Sequence, residues 1–189
     1  MKFARHSSEE VYYTTSAITT VTAEDIAFVK ARAAENPRRR ARLCAHPDDT
    51  DPLHEMLIVH MRGIYVQPHK HLGKSESFHM IEGRLKIFLF DDEGRHTGAI
   101  EMSEPGGGGA LFYRLGSSTF HSVYALTDFI VFHEVTNGPF NPRETVWAPW
   151  APDEFDLPGQ AAFMASLASD DPRVSDRPFG DHGSDGRRA

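Results

Sequence analysis

The sequence predicts an all-β protein, a small barrel preceded by one helix and followed by an extension. Three observations carry that reading. Short segments rich in β-branched and aromatic residues recur between turn signals, as in Arg84–Phe90 and His96–Met102 around Asp91-Asp-Glu-Gly94. Near the N-terminus alone, Ile26, Val29 and Ala33 set an apolar stripe at helical spacing. Between them, His69 and His71 stand one residue apart in an extended run, which sends both imidazoles to one face.

In chain order, Val11 to Thr22 is rich in Thr and Tyr and suits a strand added to a sheet edge. Thr22 then reads as an N-cap, with Glu24 and Asp25 in the first turn, and Asn36-Pro37 stops the helix. That helix is expected on the outside of the barrel. In the hairpin, Leu85, Ile87 and Leu89 face inward. Phe88 and Phe90, on the other face, need a cover, either the N-terminal segment or a second subunit, and a homodimer is expected on that ground. Pro105-Gly-Gly-Gly-Gly109 is a loop, since no helix or Lys-Ser/Thr follows it as in phosphate-cradling loops. Ala110–Leu115, Phe120–Leu126 and Asp128–Thr136 complete the barrel. Further on, Trp147 and Trp150 are expected to lie back on it, with a short helix over Gly159–Ser166. The expected boundaries are 1–52 for the N-terminal decoration, 53–142 for the barrel and 143–189 for the extension, disordered from about residue 170.

With 189 residues, 40% hydrophobic and 25% charged, the chain is sized for one sizeable core. A net charge of −7 argues against nucleic acid or an anionic membrane as partner. Cys44 is the only cysteine, which excludes an internal disulfide and suits a reducing compartment. The first ten residues lack the apolar core of a signal peptide, and no apolar run approaches the roughly 20 residues a bilayer requires. A cytoplasmic location is expected.

The chemistry concentrates around the two histidines. Glu76, a short turn later, can bring a carboxylate to the same point, and imidazole with carboxylate suits a divalent first-row metal. His121 is the best candidate for a fourth ligand. Strand parity turns Gln67 and Tyr65 the same way as the histidines, Gln67 towards a metal-bound water and Tyr65 towards a substrate or as plain barrel filling. Phe78 and Met80 would form an apolar wall, and His79 falls on the opposite face. Of His133 and Glu134, one must point inward, and parity alone leaves open which. The run Arg38-Arg39-Arg40-Ala41-Arg42 is either a solvated turn with ion pairs or an anion site for a phosphorylated or nucleotide-linked substrate.

The spacing Gly63, five residues, His69-x-His71, four residues, Glu76, six residues, Gly83 resembles the first motif of the cupin superfamily at every fixed position. The second motif is matched by Gly116-Ser-Ser-Thr-Phe-His121, with Gly116 at the proline position and Ser118 at the glycine position. The resemblance implies a double-stranded β-helix (jelly-roll) barrel and one divalent metal, Fe, Mn, Zn, Ni or Co, held by His69, His71, Glu76 and His121. A narrower resemblance lies in Asn36-Pro-Arg-Arg-Arg-Ala-Arg42, His46, the segment His54–Gly63 and the exit Glu134-Val-Thr-Asn-Gly-Pro-Phe140. Together these look like the WbuC-family cupin fold metalloproteins over Glu24 to Pro142. That family is associated with bacterial surface-polysaccharide gene clusters. The resemblance implies a fold and a metal more than an activity; the first reading of the site is an enzyme acting on a sugar or nucleotide-sugar as isomerase, epimerase-like catalyst or lyase, with the metal as Lewis acid. The other readings are an iron-dependent dioxygenase of a small molecule and a non-catalytic module that binds saccharide or senses metal.

Overall fold

The computed structural model describes residues 3–5 and 8–169. The segment expected to be disordered, from 170 on, lies outside the described residues. Twelve strands and two α-helices are described, with one 3-10 turn at Pro142–Glu144: β1 (Phe3–Arg5), β2 (Val11–Thr14), α1 (Ala23–Glu35), β3 (Arg40–Cys44), β4 (Leu53–Met61), β5 (His69–His71), β6 (Glu76–Glu82), β7 (Arg84–Phe90), β8 (His96–Ser103), β9 (Phe112–Leu115), β10 (Phe120–Ala125), β11 (Phe129–Asn137), β12 (Thr145–Trp147) and α2 (Leu157–Ser169). They form a seven-stranded sheet in the order β1-β2-β3-β4-β11-β6-β9 and a five-stranded sheet in the order β12-β5-β10-β7-β8. Within these, β4 to β11 alternate between sheets as β4-β11-β6-β9 and β5-β10-β7-β8, the strand order of a jelly roll. The fold class is the one the sequence predicts.

Side-chain alternation builds the interior. Met56, Ile58, Phe78, Met80, Leu85 and Ile87 share one buried cluster between the sheets with Phe132. The tight joint between β6 and β7 depends on Gly83, whose φ is +82° and where a Cβ would stand 2.3 Å from the carbonyl oxygen of Phe129.

Outside the seven-stranded sheet lies α1. Thr22 caps it in a capping box with Asp25, and fully buried Val29 and Ala33 pack on Ala41, Leu43, Leu57 and Val59. On the outer face of the other sheet, Phe88 and Phe90 meet Phe120, Ala148 and Leu167, with Trp150, Phe163 and Met164 alongside. Their cover is therefore the chain's own C-terminal segment, neither the N-terminal segment nor a second subunit. The reason is α2, which supplies an apolar face within the same chain, and the argument for a homodimer from these two residues falls. The expected burial of the two tryptophans divides: Trp150 packs on Phe90 at 5.1 Å between ring centroids, whereas Trp147 stays 55% exposed.

Candidate metal centre

The two histidines sit on a strand of only three residues, held on both edges. On one edge β10 sets His121 directly opposite His69; on the other β12 sets Thr145 opposite His71 and Trp147 opposite His69. Paired residues of antiparallel strands share a face, so three imidazoles converge. Ring centroids lie 4.5 Å apart for His69 and His121, 5.0 Å for His69 and His71, and 5.8 Å for His71 and His121. The four-residue link to β6 is anchored by the Leu72 amide on the Glu144 carbonyl, by Lys74 on Glu144, and by the Ser75 amide on the Asn137 side chain. Its exit brings Glu76, 4% exposed, into the same space.

Glu76 Oε1 lies 2.9 Å from His121 Nε2, and Oε2 lies 3.4 Å from His71 Nε2. The first pair is not aligned as a hydrogen bond, and buried Oε1 has no donor. The other ring nitrogens are engaged. His69 Nδ1 donates to the Gln67 carbonyl at 2.9 Å, His121 Nδ1 donates to the Thr119 carbonyl at 3.0 Å, and His71 Nδ1 pairs with Thr145 Oγ1 at 3.2 Å. A carbonyl only accepts, so Nδ1 of His69 and of His121 carries a proton, and in the neutral imidazole Nε2 is the atom left with a lone pair. Nδ1 anchoring with a free Nε2 is the arrangement of a metal-binding histidine. One ligand atom from each of His69, His71 and His121 lies within 4.8 Å of the others, and the three-histidine group can hold a metal ion. An orphaned carboxylate oxygen beside three imidazoles fits a divalent first-row cation.

Electrostatics bind the group together. Burial, helped by His121, lowers the His69 imidazole to about 3. Burial pushes Glu76 upward, yet His121, His71 and His69 outweigh it and hold the carboxyl well below its usual range. Burial opposes protonation of His121, and Glu76 overrides it and raises that imidazole.

Two further groups face this space. Glu134 pairs with Met56 and Phe78, both in the interior cluster, and so points inward. Burial first and Glu76 second push its carboxyl up to about 8. His133 takes the outer face, with Nε2 3.9 Å from Glu55. Tyr113 stacks near Phe78 with a buried hydroxyl that has no partner, and burial with Glu76 holds that phenol above its usual range. Sequence reasoning missed Tyr113, Thr145 and Trp147. Alternation along Phe112–Leu115 was the signal available for the first, and the other two required knowing that β12 pairs with β5.

The remaining candidates lie elsewhere. Regular strand structure begins only at His69, so the parity that aimed Tyr65 inward does not apply. Its hydroxyl donates to the Pro152 carbonyl at 2.6 Å, and its ring meets Phe163. Gln67 contributes its backbone carbonyl to His69. Arg38 and Arg40 are held by Glu10, at 3.2 and 2.7 Å, and Arg39 donates to the Arg62 carbonyl. Arg40 pairs with His60, opposite Ile130, while Glu76 pairs with Thr136. Six residues of β11 separate those rungs, about 20 Å of strand, so the arginines 38–40 stand at the far end of the sheet from the histidines.

Residues 21–102 match a family model described as a domain of unknown function, DUF6016. No curated protein matches the sequence. Among solved structures, the chain is similar to a variant of Bacillus subtilis oxalate decarboxylase OxdC, at 22% identity over 51% of this chain and 24% of that one, with a TM-score of 0.41. It is similar to a structural-genomics protein from Shewanella oneidensis at 13% identity, over 66% of this chain and 77% of that one, with a TM-score of 0.47. It also resembles the capsular polysaccharide assembling protein CapF from Staphylococcus aureus, at 21% identity over 52% and 27% of the two chains, TM-score 0.43. The chain thus spans 24% of the length of the oxalate decarboxylase it matches.

Proposed function

We propose that the protein is a cytoplasmic, metal-dependent cupin enzyme of the WbuC type, acting on a sugar or nucleotide-sugar in bacterial surface-polysaccharide metabolism. The observation that carries this is the convergence of His69, His71 and His121, one ligand atom of each within 4.8 Å of the others, beside the buried Glu76 carboxylate whose Oε1 has no donor. His69, His71, His121 and Glu76 would hold the ion. A divalent metal bound there supplies Lewis acidity towards a carbonyl or hydroxyl, or lowers the pKa of a bound water. The chain's own groups do the rest. The Gln67 and Thr119 carbonyls and Thr145 fix the ring orientations. Phe78 and Met80 keep the inner wall apolar, Tyr113 offers a phenol that no protein group satisfies, and Glu134 offers an inward-facing carboxyl.

Elemental analysis and turnover assays on nucleotide-sugars test the reading. Wild type should carry about one metal per chain, and His71→Ala should lose metal and turnover together. Turnover without metal would refute it. Oxygen consumption under iron loading would favour the dioxygenase instead, and tight saccharide binding unaltered by chelation, with no product, a non-catalytic module. The proposal includes a homodimer, now resting on Ile81 and Phe112, 39% and 58% exposed on the outer face of β6 and β9. A monomeric mass by light scattering at micromolar concentration would remove that part.

A further inference from the structure

The basic run from Arg38 to Arg42 leaves one guanidinium free. Arg38 and Arg40 are paired with Glu10, and Arg39 is bound to a carbonyl, whereas the Arg42 side chain makes no hydrogen bond or ion pair among the described residues. Arg42 pairs with Val11 on one side and Ile58 on the other, and both belong to the interior cluster, as does Cys44 two residues on. It therefore rises from the inner face of the seven-stranded sheet, and it is nevertheless exposed. Its charge is felt by Glu134, His60 and Tyr13, all on that face. In register, Arg42 stands opposite Ile58 and then Phe132. Glu134 is one same-face step further along β11, and Thr136, opposite Glu76, is the next. Two steps are about 13 Å of strand, a span that a long guanidinium side chain shortens.

An unpaired guanidinium that rises from the inner face and still reaches solvent is open to a ligand, and its fork matches a phosphate or carboxylate. We propose that Arg42 recognises the oxyanion end, phosphate or carboxylate, of an elongated polar substrate whose other end lies at the histidine cluster. This rests on reading the cluster as a metal centre. Glu134, between the two ends and without a hydrogen bond among the described residues, leaves room for a ligand that brings a hydroxyl to it.

Calorimetric titration of the whole protein with inorganic phosphate and with malonate tests the assignment, with metal content measured on the same samples. Wild type should bind at least one of them, and Arg42→Gln should weaken that binding about tenfold or more with metal content unchanged. Arg42→Lys, which keeps the charge and loses the fork, should fall between, and Arg95→Gln, on the far hairpin, should match wild type. Preference for phosphate over malonate identifies a phosphorylated substrate, and the reverse a carboxylate. Equal binding by Arg42→Gln and wild type, no binding by wild type, or joint loss of metal and anion in Arg42→Gln would overturn the proposal. Wild type that takes up no metal yet binds phosphate through Arg42 would instead sink the metal centre and leave the oxyanion site standing.

Discussion

The arginine corner and the histidine cluster are two polar regions of this barrel, and they are built on opposite plans. At the corner, Glu10 holds Arg38 and Arg40 with both carboxylate oxygens, and a main-chain carbonyl holds Arg39. The polar demand of these three arginines is met from within the chain, and Arg42 alone is left over. At the cluster, Glu76 Oε1 and the Tyr113 hydroxyl are buried without a partner. Burying an unsatisfied polar group costs about 1–3 kcal/mol, so a fold that keeps two together leaves room for something that satisfies them. Density of charge in a sequence therefore says less about function than whether the folded neighbours answer it.

The contrast can be broken from either side. The largest effect is expected at the cluster: Glu76→Gln removes its anionic donor, and metal affinity should fall by more than about a hundredfold in chelator competition. At the corner, Glu10→Gln strips two arginines at once and should cost about 1–3 kcal/mol in denaturant unfolding while metal content stays at the wild-type level. A metal loss there would mean that the two regions are coupled. Thr145→Val removes the contact to His71 Nδ1 and should weaken metal binding about tenfold without lowering stability.

The last test concerns His60, on the inner face 8% exposed, with an unpartnered Nδ1. Burial, with Arg40 and Arg42 adding to it, lowers its imidazole from 6.5 to about 3. Between those values the unfolded chain binds the extra proton, so stability falls as pH falls, by at most about 1.4 kcal/mol per pH unit. His60→Leu should flatten that decline in chemical denaturation series from pH 7 to pH 4. An unchanged slope would assign the acid sensitivity to other groups.

Much of this was legible in the residues because it is local. The two-residue period of a strand put His69 and His71 together, the Thr22 cap and the Ile26, Val29, Ala33 stripe marked the helix, and alternation sorted Leu85 and Ile87 from Phe88 and Phe90. What escaped depends on pairings distant in sequence. Tyr65 was aimed inward by a parity that holds only inside a strand, and the strand starts four residues later. The arginines could be located only from the register of β3, β4 and β11. The facing of Glu134 over His133 followed from Met56 and Phe78 as neighbours, which no stretch of eight residues reveals. The cover of Phe88 and Phe90 came from α2, more than sixty residues downstream.

The strand β12 carries one more consequence. His69 and His71 occupy a segment too short to hold its shape alone, and one of its two supporting edges is Thr145–Trp147. During synthesis those residues leave the ribosome after His69, His71, His121 and Glu76 have emerged, so the ligand set exists for a time without its second brace. Preorganised capture of an ion becomes a late event in the birth of the molecule, and a chain cut short just after the barrel would carry every donor yet grip poorly.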